Sequence, residues 1–124
     1  MSTDRVRDGR RIAQLLASEL ESGASHDALA VTDADPDVEP TTDGTLAYRV
    51  LNTETDETIA SVYVQPDRAR LEFRVAPAAV AEAAEEAGLR VRPKAAEPPQ
   101  TIVFVEDGAQ VKRTLSAFAA AIEA

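Results

Sequence analysis

The stretch from Arg68 to Ala76, RARLEFRVA, constrains the fold more than any other part of this chain. Strand side chains alternate between two faces, so Leu71, Phe73 and Val75 point one way and Arg70, Glu72 and Arg74 the other. One face seeks a core and the other tolerates water. Such a strand belongs to a sheet covered on one side only, the common habit of antiparallel sheets. The rest of the chain must therefore cover the apolar face and leave the charged one free.

Neighbouring segments supply more strands. Residues 44–51 alternate, with Leu46, Tyr48 and Val50 on one side. Residues 58–64 are rich in β-formers, with Val62 and Val64 set against Ile59 and Tyr63. The polar run 52–56 and the pair Pro66-Asp67 read as turns between them. A short strand is expected at 28–32, ahead of a solvated acidic loop at 33–43 that holds Pro36 and Pro40. Later, residues 89–92 read as a short strand and 94–100 as a loop containing Pro98 and Pro99. Residues 101–105, apolar on both faces, read as an interior strand.

Helical periodicity supplies the cover. Residues 4–22 carry Val6, Ala13, Leu16 and Leu20 on one face, widened by Ile12 and Leu15, with Gly23 as the stop. Pro77 suits the first turn of a second helix over 78–87, closed by Gly88. Asp107 to Gln110 forms a capping-box variant that opens a third helix striped by Val111, Leu115, Phe118 and Ile122. The order α-β-β-β-β-α-β-β-α predicts a two-layer α+β fold, with a mostly antiparallel sheet of about five to six strands and three helices. Residues 1–124 read as one domain. This order resembles the small α/β fold of type III secretion chaperones and their non-secretory relatives, which often dimerise. The resemblance lies in element order alone and implies almost nothing about function.

Composition removes several classes of chemistry. The chain has 22 acidic and 13 basic residues, a net charge of −9, and only Lys94 and Lys112 as lysines. Excess carboxylate with arginine in place of lysine reads as adaptation to a salt-rich cytosol, where ionic strength screens self-repulsion. Acidity then reports the solvent and not the partner. Without cysteine there is no disulfide, thiol nucleophile, iron–sulfur centre or thiolate zinc site. The opening from Met1 to Arg7 is polar and carries no apolar leader pattern. No apolar run approaches the ~20 residues that span a bilayer. A cytoplasmic protein without membrane contact is expected.

Candidate catalytic groups are few and isolated. His26 is the one histidine, and the adjacent Asp27 is badly placed to orient it; a surface loop residue is the better reading. No Gly-x-Ser-x-Gly elbow supports a hydrolytic triad. Asp33-x-Asp35-x-Asp37 opens like a calcium loop, but Val38 replaces the turn glycine and Gly44 the bidentate glutamate. The dispersed glycines form no phosphate cradle. No catalytic residue, metal site or cofactor is assigned.

The arginines remain. Arg68, Arg70 and Arg74 line one face of a strand, and Arg90 and Arg92 one face of another. If those strands meet, they form a polyanion- or partner-binding patch. If each guanidinium finds a carboxylate such as Glu72, they form a surface lattice, which is the preferred expectation. The free face is expected to set Arg70, Glu72 and Arg74 beside Ala47 and Leu51. Aromatic groups for stacking bases read as missing from it, which together with net charge disfavours nucleic acid. Arg5, Arg7, Arg10 and Arg11, interrupted by Asp4 and Asp8, read as helix-surface pairs. The expected function is a non-catalytic protein-interaction or regulatory module, with a homodimer or another protein as partner. The alternatives are a small enzyme or ligand-binding protein, and nucleic-acid binding through a local arginine patch.

Overall fold

A computed structural model describes residues 8–22 and 28–123, so His26, Arg5, Arg7, Val6 and Gly23 lie outside the described residues. Helix α1 spans Gly9–Glu21, followed by β1 Leu29–Thr32, β2 Thr45–Asn52, β3 Glu57–Gln65 and β4 Arg68–Phe73. Helix α2 spans Pro77–Glu86, then come β5 Arg90–Lys94, β6 Gln100–Val105 and helix α3 Leu115–Glu123. This is the α+β order that the periodicity predicts. The six strands form one antiparallel sheet in the order β1-β2-β3-β4-β6-β5. β6 is interior, as its two apolar faces require.

The helices cover one face. From the sheet that face receives Tyr48, Val50, Ala60, Val62, Val64, Leu71, Phe73 and Val103, all buried. Helix α1 adds Ile12, Ala13, Leu16 and Leu20, α2 adds Val80 and Ala84, and α3 adds Ala117 and Phe118. Phe118 meets Phe73 with ring centroids 4.9 Å apart and planes tilted by 58°, a favoured aromatic geometry.

Among the described residues helix α1 starts at Gly9, and residues 4–7 of the expected helix lie outside them. Asp8 is extended and its carboxylate accepts from the Arg11 amide at 3.2 Å, which caps the helix. Gly9 follows, wedged against the β3–β4 turn, and its amide donates to Pro66 O at 3.2 Å. The last helix starts differently. Asp107 accepts from the Gln110 amide as the cap of a capping box does, but Gln110 Oε1 accepts from the amide of Glu106, one residue before the cap. Two 3-10 turns, Gly108–Gln110 and Lys112–Thr114, then precede α3.

Two register shifts interrupt the β2–β3 ladder. Leu46 pairs with Tyr63 but Tyr48 with Val62, so Ala47 is an extra residue in β2. Val50 pairs with Ala60 but Leu51 with Thr58, so Ile59 is an extra residue in β3. A bulge breaks the period of two. Leu46 therefore leaves the side of Tyr48 and Val50, on which simple alternation put it. Ala47 is buried against α1 and does not join the free face.

The acidic segment is better anchored than its composition suggests. Val38 is buried in the core, Asp35 N donates to Ala47 O, and Arg10 donates to Pro36 O. Arg11 donates to Gln14 Oε1, and neither it nor Arg10 has an ion pair among the described residues. The three aspartates face different tasks: Asp33 pairs with Arg49 at 3.0 Å and Asp35 accepts from the Asp37 amide.

Tyr48 ties the sheet to α1, donating to Ala13 O at 2.7 Å. Burial first, and the Glu21 carboxylate second, push its phenol far above the ordinary range. The unfolded phenol ionises near pH ~10, whereas the folded one stays protonated. Stability from this group is therefore complete below pH ~10 and falls as pH rises, by at most about 1.4 kcal/mol per unit. Tyr48→Phe should cost about 1 kcal/mol at neutral pH and flatten that alkaline slope. Denaturant titrations of both proteins between neutral and alkaline pH check this; parallel slopes would contradict it.

Candidate binding face

The face opposite the helices is built in rows by strand register. One row reads Leu46, Tyr63, Arg70, Phe104, Arg90 from β2 to β5. The next reads Arg49, Ser61, Glu72, Ile102, Arg92. Gln65 and Arg68 flank the first row, and Lys94 with Gln100 lie beyond the second. Six of the chain's 13 basic residues thus project from one sheet face: Arg49, Arg68, Arg70, Arg90, Arg92 and Lys94.

The sequence-predicted arginines divide into three settings. Arg68 and Arg70 lie in the floor of this face. Arg68 donates from Nε to Gln65 Oε1 at 2.9 Å and lies over the Phe104 ring at 4.2 Å. Arg70 lies over Tyr63 at 4.8 Å and donates to Asp43 O at 3.0 Å. Its Nε is 3.1 Å from Glu72 Oε2, too poorly aligned for a hydrogen bond. Arg90 and Arg92 stand on the edge strand β5, separated from β4 by β6. Arg74 is exposed and sits past the end of β4, outside the sheet rows, because the strand stops at Phe73 and not at Ala76.

Carboxylates reach some of these cations. Glu106 lies 3.9 Å from Arg68 and 3.6 Å from Arg90. Glu72 pairs with Arg70 and, at 2.8 Å, with Lys94, while only 9% of its side chain is exposed. Arg74 and Arg92 have no ion pair among the described residues. Six cations stand on this face against the ion-paired carboxylates Glu72, Glu106 and Asp33, with Asp67 and Asp107 beside Arg68 at its edge, on a chain whose net charge is −9.

A family model matches residues 1–124. The chain belongs to DUF7993, a family of unknown function. No curated protein and no solved structure matches it. The reading of this DUF7993 face therefore rests on its own residues.

Sequence reasoning missed the aromatics here. Tyr63 was legible, because Val62 and Val64 face the core and Tyr63 must face away. Phe104 was not, since β6 is apolar on both faces and offers no alternation. The face thus carries two aromatic rings, each beneath a guanidinium, where none for stacking was expected. Elsewhere on the DUF7993 chain, a groove of about 630 Å³ runs between α2 and β5, walled by Pro77, Ala81, Val91, Pro93 and Pro99. Among the described residues no group of His, Cys, Asp or Glu is arranged to hold a metal ion, and no helix is long and apolar enough to cross a membrane.

Proposed function

We propose that this chain is a non-catalytic binding module of a salt-adapted cytosol, which takes an anionic partner on its open sheet face. The observation that carries the reading is charge segregation. Nearly half of the basic side chains stand on one face that no helix covers, while the chain as a whole is strongly acidic. A scattered lattice would distribute cations among the many carboxylates. Segregation instead creates a local positive field, which attracts and orients an anion.

The test uses polyphosphate as probe and backbone amide shifts as readout, in potassium chloride that keeps the chain folded. Shifts should concentrate on β4, β5 and β6. Arg90→Glu combined with Arg92→Glu should abolish them without altering the fold, because both side chains are exposed. Shifts spread evenly over the molecule, or unchanged in the double variant, would count against the reading. The apolar groove beside α2 favours a second reading, a homodimer joined through that groove. A concentration-independent monomer mass would remove it.

A further inference from the structure

We infer that the anion taken by the open face is a single-stranded nucleic acid, a conclusion that rests on the anionic-partner reading above. Three features of the face point to this class.

The first is a ladder of cations. Arg90, Arg92 and Lys94 occupy alternate positions of β5 and so share one side of an edge strand. Alternate residues of a strand repeat every ~6.7 Å, close to the repeat between successive phosphates of an extended single strand. Arg90 leaves 65% of its side chain exposed, and Arg92 has no ion pair among the described residues. Both can accept a phosphate without first losing a buried partner.

The second is the floor beside that ladder. The chain has five aromatic residues, and Tyr48, Phe73 and Phe118 are spent on the core. The other two, Tyr63 and Phe104, lie in one cross-strand row with Arg70 between them. Neighbouring strands are ~4.8 Å apart, so the two rings are separated by about twice that distance. Arg70 lies over Tyr63 and Arg68 over Phe104. Phe104 is only 6% exposed, so the plane it offers to a base is that of the Arg68 guanidinium above it, whereas Tyr63 is itself partly exposed. Guanidinium planes and aromatic rings both stack bases, without regard to sequence.

The third is the shape of the platform. The rows run across neighbouring strands of one open sheet, a surface on which splayed bases can lie against the stacks. An acidic peptide would use the cations and leave the two ring–guanidinium stacks without a role. The stacks decide for bases.

The experiment measures fluorescence anisotropy with a labelled oligouridylate, a duplex RNA of equal length and a polyglutamate peptide of equal charge, using the full chain. Oligouridylate should bind at least tenfold more tightly than either competitor. Arg90→Ala with Arg92→Ala should weaken it by tenfold or more and reduce the salt slope by about 1.4, two phosphate contacts of a single strand. Tyr63→Leu keeps every charge and should weaken it about tenfold through lost stacking. Circular dichroism melts confirm that each variant is folded. Equal or tighter binding of polyglutamate or duplex, or a silent Tyr63→Leu, overturns the nucleic-acid inference and leaves the anionic-partner reading standing. Failure of all three probes overturns both.

Discussion

Gly9→Ala should destabilise the protein by about 2–3 kcal/mol, in the range of overpacked sites, and lower Tm by roughly 10 °C. A Cβ at this position would stand 1.8 Å from Gln65 O and 2.5 Å from Arg68 O. Both obstacles are backbone atoms of the β3–β4 hairpin, which no rotamer change can move aside. Helix α1 would have to retreat, and with it the burial of Ile12 and Leu16. Helix propensity alone favours alanine by up to about 1 kcal/mol, so the sign of the change tells which effect dominates. A thermal melt in which the alanine variant matches or exceeds the parent would show that the close approach is not held in solution.

The second large effect comes from Glu72→Gln, and it should move two observables in opposite directions. Glu72 is buried beneath Arg70 and Lys94. The amide keeps its volume and an acceptor but loses the charge that compensates both cations. Exposed pairs contribute at most about 1 kcal/mol and breaking fully buried ones costs about 3–5 kcal/mol. With Lys94 partly exposed, a loss of about 2 kcal/mol is expected. The same change makes the open face more positive by one unit, so its affinity for polyphosphate should rise about threefold or more, as removal of one nearby like charge allows. Denaturant melts and probe titrations on the same sample read both. A variant that loses stability and affinity together would place Glu72 in the scaffold alone and weaken the case for anion binding.

How far the chain could be read without coordinates depended on local signals. The alternation of Leu71 and Phe73 against Arg70 and Glu72 is a strong one, and it placed the core, the free face and the antiparallel habit together. Pro77 and Gly88 bracketed α2 for similar reasons, through backbone chemistry that acts within one or two residues. Signals failed where a neighbour decided. Asp8 becomes the cap of α1 because the β3–β4 turn occupies the space beside Gly9, which no helical period records. Lys94 joins the face because β5 runs on to it against Gln100, and from there it reaches Glu72 two strands away. Glu106 links Arg68 to Arg90 only because β6 lies between β4 and β5. Strand order is a tertiary property, and the grouping of the cations follows from it.

The paired irregularities of the first hairpin have an evolutionary reading. Ala47 shifts the frame of β2 by one residue, and Ile59 shifts that of β3 by one residue on the opposite strand. Between them, Tyr48 and Val50 meet Val62 and Ala60 in one frame, while both ends of the hairpin keep another. Deletion of Ala47 alone would remove its bulge and leave Tyr48 opposite Val62 and Val50 opposite Ala60, because the extra residue has no partner across the ladder. Loss of Ile59 alongside it would bring the whole ladder back into a single frame. A length change of one residue at Ala47 or at Ile59 is therefore compatible with the pairing of the other strand, each bulge absorbing its own extra residue at the cost of one buried side chain.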